Sequence, residues 1–105
     1  MIRYVQKSIT PVNGAVTMAS SPAVIGVAGK TRKILGVYTT PTATIGLRCY
    51  YDGDEVVDVI STIFTYIDDF IPLDIVLEEG RQFKVGLHSS SGTTAQQVVV
   101  KYEET

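Results

Sequence analysis

The stretch LDIVLEEGRQFKVGLHSSSGTTAQQVVVKYE, from Leu73 to Glu103, predicts the fold. It contains three segments in which apolar and polar residues alternate, and a glycine-bearing break follows each of the first two. Such alternation indicates strands with one buried face, because successive side chains of a strand point to opposite sides of its sheet. Three strands of this kind in a row are typical of a β-sandwich or barrel.

The composition also favours an all-β chain with a single domain. The 105 residues are enough for one hydrophobic core. Val, Ile and Thr make up more than a third of them, and β-branched side chains favour strands over helices. Hydrophobic residues account for 45% and charged residues for 19%, which is typical of a globular protein rather than a disordered one.

Turn signals divide the chain into eight or nine predicted strands. The predicted strands are Ile2–Ser8, Ala15–Ala19, Ala23–Ala28, Thr31–Thr40, Thr42–Tyr51, Glu55–Ile67, Phe70–Glu78, Arg81–His88 and Ala95–Glu103. Their spacing predicts one antiparallel, jelly-roll-like β-sandwich over residues 1–105. Residues 8–29 are uncharged and rich in small side chains. Residues 1–30 are therefore predicted either as strands of the sandwich or as an extended N-terminal arm.

Charge and hydropathy exclude two classes of partner. The net charge is −2 and the pI is near 5.2, whereas proteins that bind the nucleic-acid backbone carry clustered Lys and Arg. The uncharged segment contains Pro11, Asn13 and Pro22, so it does not supply the run of about 20 apolar residues that a membrane-spanning helix needs. We therefore expect a soluble protein that binds neither nucleic acid nor membranes.

Two features that suggest chemistry have a simpler structural interpretation. Cys49 is the only cysteine and shares a strand face with Ile45 and Leu47, so we expect a buried thiol rather than a nucleophile. The segment Gly26–Thr31 ends like a phosphate-binding P-loop, but Val24 occupies the position of the first glycine of that motif. A P-loop also needs a following helix, whereas the next residues are predicted as a strand. We therefore favour a turn with a solvated lysine.

The acidic turns and the single histidine are the other candidates for chemistry. Asp52–Glu55 and Asp68–Asp69 are compatible with a cation site, although Asp-Gly-Asp is also a common tight turn and fits no calcium-loop signature. His88 precedes three serines, and a flexible Ser-rich loop does not hold the geometry that Ser–His catalysis requires. We predict no catalytic residue, no cofactor and no enzymatic activity, and we leave cation binding by the acidic turns open.

Strands that are apolar on both faces mark the predicted interaction residues. Tyr50 and Tyr51 lie on opposite faces of one strand, and Val99 interrupts the outward polarity of the last strand. Phe64 and Tyr66 also have apolar neighbours on the opposite face. A strand with one buried face does not show this pattern, so either these strands are covered twice or their outer face meets a partner. We predict Tyr50, Phe64, Tyr66 and Val99 as interaction residues.

The segment Phe70–Glu103 resembles the closing strands of small β-sandwich accessory proteins of virus and phage particles, namely decoration, fibre-base and minor capsid proteins. The shared pattern is the run IPLDIVL-x-x-G-x-x-F-x-V, followed by a Ser/Gly/Thr loop and a Val-rich last strand. The resemblance implies a non-enzymatic protein of the virion, commonly a homotrimer, that contacts other capsid proteins through its arm and outer sheet. The resemblance contains no diagnostic site, so it assigns no functional residue to this chain.

Two functions are therefore predicted. The favoured one is a capsid-associated structural subunit that forms homo-oligomers, with a trimer favoured, and docks on a larger particle. An isolated subunit of this kind would expose more apolar surface than soluble monomers usually tolerate. The alternative is a carbohydrate- or ligand-binding module that uses Tyr50, Tyr66 and the acidic turns, since exposed aromatic rings bind sugars, although the chain contains no Trp.

Overall fold

The computed structural model describes residues 1–40, 45–61, 70–89 and 95–105. Within these ranges the chain forms nine β-strands, all paired antiparallel. They are β1 (Ile2–Ile9), β2 (Val16–Met18), β3 (Val24–Ile25), β4 (Arg32–Thr39), β5 (Ile45–Tyr51), β6 (Asp54–Ile60), β7 (Ile71–Leu77), β8 (Gln82–Ser89) and β9 (Gln96–Glu104). None of the described residues belongs to a helix long and apolar enough to cross a membrane.

The strands form two sheets whose order is that of a jelly roll. Sheet 1 has the order β1–β9–β4–β7, and sheet 2 has the order β2–β8–β5–β6, with β3 also paired to β8. The pairs nest along the chain, because β1 pairs with β9, β2 and β3 with β8, β4 with β7, and β5 with β6. A long antiparallel hairpin that rolls up on itself has this pairing, and the β4–β9 and β5–β8 pairs close the roll. The predicted antiparallel, jelly-roll-like sandwich is confirmed.

The hydrophobic core lies between the two sheets. Side chains with no accessible surface come from alternate positions of the central strands, and they include Ile34, Val37, Leu47, Cys49, Phe83, Val85, Leu87, Val98 and Val100. Full burial of an aliphatic or aromatic side chain stabilises a fold by about 1.5–3 kcal/mol relative to its exposure. Burial also raises the pKa of the Cys49 thiol, and the prediction that this thiol is buried is confirmed.

Strands near the N-terminus contribute to both sheets. β1 pairs with β9 along its whole length, while β2 and β3 pair with successive parts of β8. Ile9, Ala23 and Val24 are buried in the core. Of the two arrangements that the sequence left open for this region, the structure therefore has strands of the sandwich at 2–9, 16–18 and 24–25.

The observed strand bounds differ from the predicted ones chiefly at β3. The predicted strand Ala23–Ala28 ends at Ile25, because the N–H of Gly26 donates to Arg81 O in the turn between β7 and β8, and Gly26 O accepts from Gly80 N–H. Gly29 then adopts a φ of 77°, which suits a turn and favours glycine. Residues 42–44 and 62–67 of two other predicted strands lie outside the described residues.

Candidate functional site

The outer face of sheet 1 carries three aromatic rings in contact. Tyr4 projects from β1, Tyr38 projects from β4, and Phe70 immediately precedes β7. The ring centre of Phe70 lies 5.7 Å from that of Tyr38 and 6.1 Å from that of Tyr4. Tilted ring pairs at such distances are favourable. These three residues, called the aromatic cluster below, therefore connect the two edges of a four-stranded sheet.

Gly36 explains how Phe70 reaches across β4. A Cβ atom at position 36 would lie 3.1 Å from Phe70 Cβ and 3.0 Å from Ile71 O. Any larger residue would therefore push Phe70 away from the sheet, and a glycine in a strand often marks such a close approach. The pairing of β4 also shifts register between Ile34 and Gly36, and such an irregularity bends a strand locally.

A hollow of about 490 Å³ opens beside the aromatic cluster. The residues that line it are Tyr4, Gln6, Tyr38, Thr40, Phe70, Gln97 and Val99. The strand register brings several of them together, since Gln6 pairs with Val99 and Val99 pairs with Tyr38. Side chains directly opposite one another on neighbouring strands are in contact range. Among the residues that the structure describes, those that line the hollow carry no formal charge and form aromatic and amide walls.

Two glutamine amides form the polar wall of the hollow. Gln6 Nε2 donates a hydrogen bond to Gln97 Oε1 at 3.0 Å, and Gln97 Nε2 donates to Ser8 Oγ at 3.1 Å. A primary amide has two donor hydrogens and a carbonyl oxygen with two lone pairs. Both exposed glutamines therefore keep donor and acceptor capacity beyond these two bonds.

The outer face of sheet 2 has a different character. Val16, Met18 and Ile60 point outward from its two edge strands and stay exposed, Ile60 by 65%. On the two central strands between them lie Gly46 and Gly86, together with His88 in the row of Val16 and Arg48 in the row of Met18. Met18 covers Gly86, where a Cβ would lie 2.5 Å from Met18 Sδ. The three exposed side chains and two glycines are called the apolar trough below.

Charged side chains of both signs border the apolar trough. Arg48 and Lys84 lie on the outward positions of β5 and β8, and Arg48 Nε is 3.4 Å from Asp58 Oδ1 on β6. Tyr50 is half-buried on the same face. A shallow depression of about 340 Å³ at this end is lined by Val16, Met18, Tyr50, Asp52 and Lys84.

The carboxylate of Asp52 is engaged within the fold. Its Oδ2 accepts a hydrogen bond from Arg81 Nη1 at 2.8 Å, and its Oδ1 accepts one from the Gln82 N–H at 2.9 Å. These two bonds, that from Arg81 first, hold the pKa of Asp52 below its usual value. Asp52 also has a φ of 53°, which Asp tolerates in turns. The side chain thus ties the β5–β6 turn to the start of β8.

The acidic turns do not gather ligands for a cation in the part of the chain that the structure describes. No group of three or more His, Cys, Asp or Glu side chains there has the geometry to hold a metal ion. Of the turn Asp52–Glu55, Asp52 is bound to Arg81 instead. Asp68–Asp69 lies outside the described residues.

The predicted interaction residues do not lie together. Val99 is half-buried in the hollow on sheet 1, while Tyr50 is on the outer face of sheet 2. Phe64 and Tyr66 lie outside the described residues. Tyr50 and Val99 therefore face opposite sides of the sandwich, because their strands belong to different sheets. Their roles in binding stay predictions.

Sequence reasoning missed the aromatic cluster. Alternation along β1 placed Tyr4 and Gln6 on one face, and this is the only local signal for the site. The contact between Tyr4 and Phe70 depends on two edge strands of the same sheet. Strand alternation carries no information on such pairing.

The structure also shows the surroundings of the P-loop-like segment and of His88, the two other candidates for chemistry in the sequence. The residues that follow Thr31 form β4 rather than the helix of a P-loop, and the N–H of Thr31 donates to Thr105 O. His88 is half-buried on an outward position opposite Gly46. Ser89 beside it is buried, and residues 90–94 lie outside the described ranges.

Comparison with known protein families and with curated proteins finds no match for the chain. The two outer faces of the sandwich are the candidate sites. Sheet 1 presents a hollow whose described lining is aromatic, amide-bearing and uncharged, and sheet 2 presents an apolar trough bordered by charges of both signs.

Proposed function

We propose that the protein is a non-enzymatic structural subunit, a decoration or minor capsid protein of a virus or phage particle, which self-associates and docks on a larger assembly. The observation that carries this proposal is the apolar trough, where Val16, Met18 and Ile60 stay exposed on the outer face of a sheet. An outer face that meets only water is normally polar. Val16 and Met18 are neighbours on β2, and Ile60 lies on the opposite edge strand of the same face. Exposed apolar side chains that gather on one face typically mark sites of protein association.

The edge of sheet 2 supports the same proposal. Among the described residues β6 is an edge strand, and its Val56 and Ile60 are exposed. An edge strand presents unpaired N–H and C=O groups on which another chain can pair. The edge strand β7 of sheet 1 differs, because Pro72 removes one of its N–H donors.

The charges around the apolar trough favour a second copy of the chain as one partner. Arg48 and Lys84 lie beside Glu55 and Asp58 in the register of β5, β6 and β8. A face with both signs of charge is able to complement itself, whereas a face of one sign favours a partner of the opposite charge. The trough is therefore suited to contacts between identical subunits.

The fold and the C-terminal resemblance add to this proposal by analogy. Jelly rolls with two sheets occur in capsid domains as well as in lectins, and a fold alone does not determine function. The resemblance of Phe70–Glu103 to viral accessory proteins favours the first of these classes. Since homotrimers are common in that class, a trimer is the favoured oligomer.

Self-association is tested by light scattering coupled to size-exclusion chromatography over a range of protein concentrations. We expect the wild-type protein to be an oligomer and the Met18→Glu and Ile60→Glu variants to shift to the 11.4 kDa monomer, because each places a charge in the trough. Val76→Glu is the matched control, since Val76 is 52% exposed on β7 of sheet 1, and it should leave the oligomer intact. Thermal unfolding shows whether each variant is folded. A wild-type protein that stays monomeric at the highest concentration contradicts the proposed self-association.

A further inference from the structure

We propose that the hollow on the outer face of sheet 1 binds a neutral saccharide, with a pyranose ring packed on Tyr4 and the glutamine amides bonded to its hydroxyl groups. This inference goes beyond the structural role and does not depend on it. The hollow and the apolar trough lie on opposite faces of the sandwich, so one face is able to bind a small ligand while the other binds a subunit.

The aromatic cluster supplies the apolar platform. Tyr4 is 60% exposed, so ligands reach its ring from solvent. Phe70 contacts that ring at an interplanar angle of 54° and thereby restricts it. The C–H-rich face of a pyranose is apolar and packs on an aromatic ring in the way that other apolar groups do. A ring that is already held in place loses less conformational entropy when the ligand binds.

The amides of Gln6 and Gln97 supply the polar part of the site. A sugar hydroxyl both donates and accepts a hydrogen bond, and a carboxamide also does both. The bonds from Gln6 to Gln97 and from Gln97 to Ser8 orient the two amides. Each amide retains one N–H for a ligand, and Gln6 Oε1 accepts no hydrogen bond from the residues that the structure describes. The pair therefore presents donors and an acceptor side by side.

The uncharged character of the described lining residues favours an uncharged saccharide. A phosphate or carboxylate ligand needs a cationic partner when it leaves water, and none of the seven lining residues is cationic. Lys101 lies directly opposite Tyr4 in the strand register but is not one of the residues that line the hollow. The volume of about 490 Å³ falls within the roughly 300–1,000 Å³ typical of small-molecule sites. A neutral sugar fits these conditions.

A proline-rich peptide is the other ligand class that aromatic grooves bind. Proline has no N–H and no hydroxyl group, so such a peptide presents mainly carbonyl oxygens to the site. It would use the amide donors but leave the carbonyl oxygen of Gln6 without a donor. The combination of donors and an acceptor therefore favours the saccharide.

Saturation-transfer NMR tests the inference with four probes at millimolar concentration: the methyl glycosides of glucose, galactose, mannose and N-acetylglucosamine. We expect transfer to the ring protons of at least one probe. Tyr4→Ala and Gln97→Ala should each weaken binding by about fivefold to tenfold, while Tyr4→Phe should retain it because the ring remains. Val76→Ala, at an exposed position of the same sheet that does not line the hollow, is the matched control and should leave binding unchanged.

Several results would overturn the inference. One is that none of the four probes shows saturation transfer. Another is that Tyr4→Ala binds a probe as tightly as the wild type does. A third is that the protein binds a polyproline peptide but none of the sugars. Light scattering on the same samples separates this site from the proposed function. If the wild-type protein is monomeric and binds a sugar, the saccharide site is supported and self-association is contradicted. If it is an oligomer and binds no probe, self-association is supported and the saccharide site is contradicted.

Discussion

Replacing Gly26 by alanine should strongly destabilise the protein. Gly26 is buried against the turn between β7 and β8, and its backbone N–H and C=O form hydrogen bonds of 2.8 Å to Arg81 and 3.0 Å to Gly80. A Cβ would lie 2.7 Å from the carbonyl carbon of Glu78 and closer still to its oxygen. The two backbone segments would have to separate, and both hydrogen bonds would lengthen. Overpacking costs about 1–3 kcal/mol and each weakened bond costs about 0.5–1.5 kcal/mol, so we expect a loss of about 4 kcal/mol.

Urea unfolding followed by circular dichroism measures this loss from the shift of the midpoint. In thermal unfolding, at about 4 °C per kcal/mol for a domain of this size, the melting temperature should fall by about 15 °C. Gly53→Ala is the matched control, because no heavy atom lies within 4 Å of a Cβ at that position, and it should change stability by less than about 0.5 kcal/mol. A loss below about 1 kcal/mol in Gly26→Ala would refute the close approach of the two segments.

Two further predictions concern titratable groups. Because the Arg81 and Gln82 hydrogen bonds lower the pKa of Asp52 in the folded state, its contribution to stability is complete above the unfolded pKa of about 4 and is lost as the pH falls through the lower folded pKa. Urea unfolding between about pH 2 and pH 6 measures this loss of stability, which should be smaller in Asp52→Asn than in the wild type. The control variant Asp54→Asn should show the same loss as the wild type. A pH profile of Asp52→Asn that equals that of the wild type argues against the role of Asp52 in holding the turn. Burial raises the pKa of the Cys49 thiol. A thiol reagent at mildly alkaline pH should therefore label Cys49 only after urea unfolds the protein. Rapid labelling of the folded protein would be incompatible with this burial.

The inward faces of the strands were predictable from the sequence. Ile45, Leu47 and Cys49 share one face of β5, and all three are buried as predicted. Alternation is sufficient here because the burial of one strand face depends on residues close together in the chain. The jelly-roll-like sandwich of eight or nine strands was likewise predicted from the number and spacing of the turn signals, whereas the order of the strands in the two sheets was not.

The candidate site was not predictable in the same way. Tyr4 and Phe70 meet only because β1 and β7 form the two edges of one sheet and Gly36 leaves room between them. Each of these conditions depends on strand pairing over long sequence distances. For the same reason, the two-sided pattern at Tyr50 and Val99 did not indicate that the two residues belong to opposite sheets.

The most direct test of the central claim, that the protein is a structural subunit of a larger particle, is the composition of particles from its natural source. Particles purified on density gradients and analysed by quantitative mass spectrometry should contain this chain in a fixed ratio to the main shell protein in every preparation. Recovery of the chain only in the particle-free fractions, or in traces that vary between preparations, would contradict the claim.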